Sequence, residues 1–338
     1  MLQQTQVARV VEAFGRFMER FPSPTALADA PEEQVLAAWQ GLGYYRRARL
    51  LHAAARRIRD EHAGAVPADA ATLRALPGVG RYTAGAIASI VHGAREPIVD
   101  GNVLRVLSRV AGARTQAGDP ASEAWAWRQA QTLVEACTDP AATNEGLMEL
   151  GATVCTPAQP RCDACPLAAR CVARREGSAA QIPAPRRSAA RQVLWWHAIV
   201  DCDARGLLLE QRPERGLWAR MWQPPVVESE RALEAQELAP RWGAPLRAVG
   251  AFRHVTSHRE VEFRVFVPAG ASGAAPARDD PAARASCIRV PLHSLTDYAL
   301  SNAAWRVLET AGVPVTTPPS AAGNRRAPRA TRSAATGS

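Results

Sequence analysis

The chain has 338 residues, 47% of them apolar and 22% charged, and its formal charge of +9 comes mainly from arginine. That length allows two ordinary domains, each with its own core, and the arginine excess favours a polyanionic partner while also supplying solvated surface. Apolar runs such as 193–200 are far too short to span a bilayer, and residues 1–20 hold no basic segment ahead of an unbroken apolar stretch, so a membrane partner is excluded and a cytoplasmic, nucleoid-associated monomer without a processed leader is expected.

In chain order, Val7, Val10, Val11, Phe14, Phe17, Met18 and Phe21 recur at the three-and-four spacing of one apolar helix face, so the sequence opens in a helix. Further helical patterns over 45–61 and 122–137 are separated by Gly/Pro breaks at "RFPSPTALADAPEEQ", "GLGYY", "LPGVG" and "TDPAATNEG". Residues 1–171 therefore read as an all-α domain. The stretch 172–192 loses periodicity and gains Pro, Ala and Arg, which marks a basic linker. Strand patterns follow at 193–201, 206–212 and 259–268, with "DCDARG" as a hairpin turn between the first two. With helices near 229–239 and 302–311 they make an α+β domain over 193–312. The tail, 313–338, is rich in Pro, Ala and Arg and is expected to be disordered.

Seven cysteines, an odd number, argue against a disulfide framework. Cys137, Cys202 and Cys287 are scattered and read as small core residues. Cys155, Cys162, Cys165 and Cys171 have six, two and five residues between successive members, so four thiolates lie close enough to close around one centre. A structural zinc ion accepts such a set, although zinc sites more often use two short knuckles with a longer loop between them. One continuous loop with uneven gaps suits an iron-sulfur cubane better.

"LRALPGVGRYTAGAIASIV" places a glycine turn between two helical patterns. Gly78 and Gly80 let a backbone approach an anion, and the following helix start offers amides to a phosphate. A plain helical hairpin would use the same glycines. In "IVDGNVLRVLSR", twenty residues past Gly80, Asp100 stands at the mouth of the next helix, where an N-cap is one reading of it.

These segments together resemble a known family. "LPGVG" followed by Thr83 and Ala84 is similar to the helix-hairpin-helix DNA-binding motif, and "MELGATVC" with the cysteine spacing resembles the iron-sulfur loop of the endonuclease III superfamily of DNA glycosylases. Adding "MLQQTQV", "GLGYYRRAR" and "DGNVLRVL" makes the resemblance one to MutY-type adenine DNA glycosylases, from residue 1 to about 311. It implies a [4Fe-4S] cluster on the four cysteines, with Arg161 and Arg170 presented to DNA. It implies base flipping and hydrolysis of the N-glycosidic bond of adenine mispaired with 8-oxoguanine or guanine in double-stranded DNA.

By the same resemblance Asp100 is catalytic, supporting positive charge on the sugar, and Asn102 positions it or the deoxyribose. Tyr82 occupies the place of the Schiff-base lysine of bifunctional members, and a phenol cannot form that imine, so a monofunctional enzyme is expected. Gln4 fills the gap left in the duplex, Tyr44 wedges beside it, and Glu145 contacts the flipped adenine. For Tyr44 the alternative is core packing, and for Glu145 a plain helix surface.

"LLLEQRPERGLWARMWQPP" resembles a Nudix-like domain that reads 8-oxoguanine. Glu234 and Glu237 lack the pairing of a hydrolytic Nudix helix, so a reader without metal chemistry is expected. Its reading loop holds His254, Ser257 and His258, with Ser257 able to report on the protonated N7 of 8-oxoguanine. Thr256 stands where the family commonly has Phe, which puts the packing of that loop in question. The family's general-acid glutamate falls two residues before Met1, so the sequence is expected to be a truncated reading of a longer enzyme. The alternative is a mismatch-DNA-binding protein that cannot excise.

Overall fold

The structure is a computed structural model that describes residues 1–2, 5, 7–186, 191–256, 259–270 and 287–315. The chain forms two compact units, Ala53–Ala190 and the combination of Met1–His52 with Arg191–Ser338. No described helix is long and apolar enough to cross a membrane.

The Ala53–Ala190 unit is helical. After the end of α4 (Tyr45–Glu61) come α5 (Ala70–Ala75), α6 (Arg81–Ala86), α7 (Gly101–Ala111), α8 (Pro120–Ala136), α9 (Pro140–Glu149) and the short α10 (Val172–Arg175). Their starts are written in local chemistry. Asp69, Asp100, Asp119 and Asp139 each accept hydrogen bonds from amides in the first turn, and Pro120 and Pro140 follow as first helical residues that need no donor. Ile58, Leu73 and Leu76 bury against Ala84 and Ala88, and Val103, Leu104 and Leu107 bury against the small Ala126 and Ala130. Single-turn π segments, Ile87–Val91 and Leu150–Val154, continue α6 and α9.

The segment expected as a basic linker is structured through residue 186. Gly112 ends α7 at φ 66°, and a Cβ there would fall 2.4 Å from Val172 Cγ1, so α10 packs on that glycine. Ala173 and Ile182 are buried, and Ala184 exchanges backbone hydrogen bonds with Thr115 and Ala117. The anchors are single small residues and backbone groups, which leave no periodic trace in the sequence.

In the other unit, α1 (Val7–Arg20), α2 (Pro24–Asp29) and α3 (Glu32–Ala38) gather Phe17, Phe21 and Trp39 edge to face. The single apolar face expected for α1 divides in two: Val10, Phe17 and Phe21 are buried, but Val7, Val11, Phe14 and Met18 are exposed. The pattern is broader than the stripe that α1 buries.

The strands are β1 (Gln192–Ile199), β2 (Cys202–Asp203), β3 (Gly206–Gln211), β4 (Trp222–Gln223), β5 (Val226–Ser229), β6 (Leu246–Val255), β7 (Arg259–Pro268) and β8 (Cys287–Val290). One sheet runs β5-β1-β7-β6, with β1 and β7 parallel, and the other is built on β3, paired with β2, β4 and β8. Trp196 and Ala198 point into a core with Phe263 and Trp305, whereas Ile199 joins Phe266, Leu238 and Trp242. Burial on both faces explains the near-continuous apolar run of β1.

"DCDARG" turns β2 into β3 through Asp203 and Gly206, and β1 lies in the other sheet. The helix expected over 229–239 is α11 (Ala235–Trp242), because Glu234 and Glu237 form a reciprocal capping box and 226–229 pairs with β1 as β5. Strand β6 went unread because a bulge at Ala248–Gly250 breaks its alternation. After α12 (Asn302–Thr310), Val313 and Val315 still pack on the core, so the tail departs later than 312, and 316–338 lie outside the described residues.

Candidate active site

Within the helical unit the chemistry gathers along α7. Asp100 caps it: Oδ1 accepts from the backbone amides of Asn102 and Val103, both at 2.8 Å, and Oδ2 accepts from Asn102 Nδ2 at 3.0 Å. The N-cap reading and the functional reading are thus compatible, since the same bonds that start the helix aim and hold the carboxylate. Asp100 also lines a cavity of about 710 Å³ together with Glu123, Trp127 and Pro183. Tyr82 donates to Met148 Sδ at 3.4 Å; burial first, and the Asp100 charge second, push its phenol up. Asp100, Asn102 and Tyr82 therefore share one neighbourhood.

One helical turn further, Arg105 donates from Nη2 to Asn102 Oδ1 and to the Gly151 carbonyl, both at 2.8 Å, and from Nε to the Cys155 carbonyl at 2.8 Å. Arg109, only 2% exposed, donates to the carbonyls of Ile182 and Thr156 at 2.7 Å and of Pro157 at 2.8 Å, and Nη1 stands 3.3 Å from Cys155 Sγ. Neither arginine was singled out from sequence. Their signal was a four-residue spacing that places both on one face of α7, otherwise apolar in its interior.

A third unread residue is Asn144. Fully buried, it donates to Ser89 Oγ and the Glu96 carbonyl and accepts from the Ile98 amide, which fixes the segment leading into Asp100. Its neighbour Glu145 is exposed on α9. Among the described residues nothing brings Glu145 to Asp100.

Cys155, Cys162, Cys165 and Cys171 line one cavity together with Arg109 and Arg174. Burial, and then the proximity of Cys171, Cys155 and Cys165, push the Cys162 thiol up. Among the described residues no three potential ligands gather at the spacing of a single metal ion. Four thiols converging on one cavity, faced by the buried Arg109 guanidinium, are a donor set that suits an iron-sulfur group. Arg161 and Arg170 belong to this loop; Arg161 donates to the Thr153 carbonyl at 2.8 Å, and both residues are exposed.

Gly78, at φ 76°, and Gly80 form an exposed turn ahead of α6, and a Cβ on Gly80 would meet nothing within 4 Å. That open approach is what a phosphate on the helix start requires.

In the other unit the paired tyrosines separate. Tyr45 is buried, and burial pushes its phenol up, whereas Tyr44 is 49% exposed at φ 50°. Gln4, Ser257 and His258 lie outside the described residues. Thr256, beside the last two, closes its turn: its hydroxyl donates to the Arg259 carbonyl at 2.9 Å and accepts from the Arg259 amide at 3.0 Å. A local clamp thus stands at the position of the aromatic ring in the pattern this loop resembles. His254 sits in β6 against Trp218, and burial pulls its imidazole down to about 4. Glu234 pairs with Arg264 at 2.6 Å, and Glu237 pairs with Arg231 at 2.5 Å. Both carboxylates are committed to α11 and its flanks.

The helical and sheet-bearing parts match two family models. Residues 1–131 match the HhH-GPD superfamily of base excision DNA repair proteins, and residues 195–310 match the NUDIX domain. The chain is 39% identical over 241 residues to the adenine DNA glycosylase of Mycobacterium tuberculosis (strain ATCC 25618 / H37Rv), covering 70% of this chain and 77% of that protein. It is 42% identical over 214 residues to the adenine DNA glycosylase of Mycolicibacterium smegmatis, covering 62% and 68%. It is 36% identical over 323 residues to the mouse adenine DNA glycosylase, covering 79% and 62%, so it spans about three-fifths of the length of that relative. The chain belongs to the adenine DNA glycosylase family.

Proposed function

We propose that this chain removes adenine mispaired with 8-oxoguanine or guanine from double-stranded DNA, as a monofunctional base-excision-repair glycosylase. The observation that carries the reading is the Asp100 carboxylate, aimed by three hydrogen bonds at the mouth of α7 beside a phenol instead of an amine. As the C1′–N9 bond breaks, its electron pair leaves with adenine, which takes up a proton. Asp100 stabilises the positive charge on the sugar, and a water oxygen then bonds to C1′ and gives up its proton. Asn102 holds Asp100, and Tyr82 closes the wall without forming an imine.

Residues 1–171 act as the glycosylase and 193–312 as the reader in this account, joined by 172–192. Gly78 and Gly80 take a backbone phosphate, Tyr44 and Gln4 hold the opened duplex, and Glu145 meets the extruded base. Ser257 and His258 sense 8-oxoguanine. The four cysteines hold a [4Fe-4S] cluster, which when bound supplies folding energy to the loop that carries Arg161 and Arg170.

The test is single-turnover incubation of the full-length gene product with duplexes containing adenine opposite 8-oxoguanine, guanine or thymine. The reading expects free adenine from the first two, an uncut strand until alkali is added, and no adduct with borohydride. Release of no adenine, or a trapped imine, contradicts it.

A further inference from the structure

Arg47 occupies a place that none of the functional readings above uses. Its guanidinium stacks over two rings, Trp39 at 5.3 Å and Tyr44 at 5.7 Å, and Nη2 donates to Thr5 Oγ1 at 2.9 Å. Its Nε is buried with no hydrogen-bond partner among the described residues, and no described carboxylate pairs with it. A cation that was there only for charge would be solvated or paired. This one is held by aromatic faces and a hydroxyl.

The two rings differ in kind. Trp39 is fully buried, anchored by Nε1–H to the Gly43 carbonyl at 3.1 Å and by the edge of Phe17. Tyr44 is exposed, and its φ of 50° is a conformation that a bulky residue adopts only when its surroundings impose it. Gly41 at φ 83° and Gly43 at φ 69° shape the turn, and the Arg47 amide donates to the Tyr44 carbonyl at 2.7 Å. Arg47 is thus the layer between a rigid core ring and a strained surface ring. Thr5, its hydroxyl partner, is the residue after Gln4 in the sequence.

We propose that Arg47 is a positioning residue for base extrusion: sandwiched between Trp39 and Tyr44 and bonded to Thr5, it holds the Tyr44 ring ready for insertion into the duplex. The proposal rests on the base-flipping reading given above. A ring already ordered costs little further conformational entropy when it enters the stack, so its hold favours the extruded state. Removing the guanidinium plane frees the ring and taxes extrusion, and the remainder of the DNA interface is left in place.

A double-mutant cycle tests this. The probe is a duplex with 2′-fluoro-2′-deoxyadenosine opposite 8-oxoguanine and 2-aminopurine as the adjacent base, whose fluorescence rises on unstacking. With the full-length protein, Arg47→Met is expected to lower the unstacking equilibrium about tenfold, from loss of the cation–π contacts and the Thr5 bond. Arg47→Lys, which keeps the charge but not the plane, is expected to bind undamaged duplex as the wild type does and to unstack as poorly as Arg47→Met. In a Tyr44→Leu background Arg47→Met is expected to cost nothing further. An equal cost in both backgrounds would show a general structural role and overturn the proposal, as would wild-type unstacking by Arg47→Met. A wild-type protein that unstacks nothing overturns the base-flipping reading and this proposal with it, an outcome distinct from an active wild type whose Arg47 variant is equally active.

Discussion

Arg105 donates from Nη2 to Asn102 Oδ1 at 2.8 Å, and that bond decides which way the Asn102 amide faces. A guanidinium has no acceptor, so the carbonyl end must point to Arg105 and the Nδ2 end to Asp100 Oδ2, 3.0 Å away. The second oxygen of the acid at the head of α7 is thus linked, through Asn102, to a residue one turn below it.

Arg105→Met is accordingly expected to lower single-turnover adenine excision by about tenfold or more, since it removes a charge-assisted bond and lets the Asn102 amide rotate. Binding to undamaged duplex should change less than excision. Equal losses in both would assign Arg105 to binding.

Arg109 ties the carbonyls of Ile182, Thr156 and Pro157 to α7 from a fully buried position. Arg109→Met leaves those acceptors without their donor, at a cost of about 3 kcal/mol or more. The expected outcome is a lower thermal midpoint together with loss of iron and visible absorbance. Wild-type stability and iron content would contradict it.

Gly151 offers a steric probe of the same assembly. A Cβ there would lie 2.6 Å from Asn102 Cβ and 3.0 Å from the Asn102 backbone. Gly151→Ala should push Asn102 away from Asp100, costing about 1–3 kcal/mol of stability and lowering excision with it. Denaturant midpoints and single-turnover rates measure the two effects separately.

How much of this could be read beforehand differs from feature to feature. Helix α4 was legible to the residue, and the cysteine loop and Asp100 stood out because each is a local pattern of spacing or cap chemistry. Arg105, Arg109 and Asn144 were not legible, because most of their partners are backbone carbonyls and amides distant in sequence and identical in every residue type. Gly151 was silent for the same reason, its requirement being set by the close approach of Asn102. In the sheet-bearing unit, β1 announced itself by apolar content, whereas β6 hid behind its bulge and β5 lay just ahead of the expected helix, overlapping it only at Ser229.

Acid should weaken the sheet-bearing unit. His254 is half-buried in β6 and pulled down to about 4, and the fully buried His197, whose Nε2 accepts from the Leu233 amide at 2.8 Å, is pulled down as well, chiefly by burial. A base whose folded value is depressed contributes stability above its unfolded value near 6.5, and that stability is lost as pH falls toward the folded value. For His254 the window runs from about 6.5 to about 4, worth at most about 3 kcal/mol. His254→Leu should flatten part of the decline in thermal midpoint over that range, and an unchanged slope would show that other groups carry it.

The most direct test of the account is the single-turnover rate of adenine release from an adenine:8-oxoguanine duplex by the full-length protein and its Asp100→Asn variant. Asparagine is an equally good N-cap, so α7 and the fold should persist, with stability changed by less than about 1 kcal/mol. The account predicts that excision falls about 10²–10³-fold or more while the duplex is still bound, because the charge facing the sugar cation is gone. A variant that folds, binds and releases adenine at the wild-type rate would contradict it.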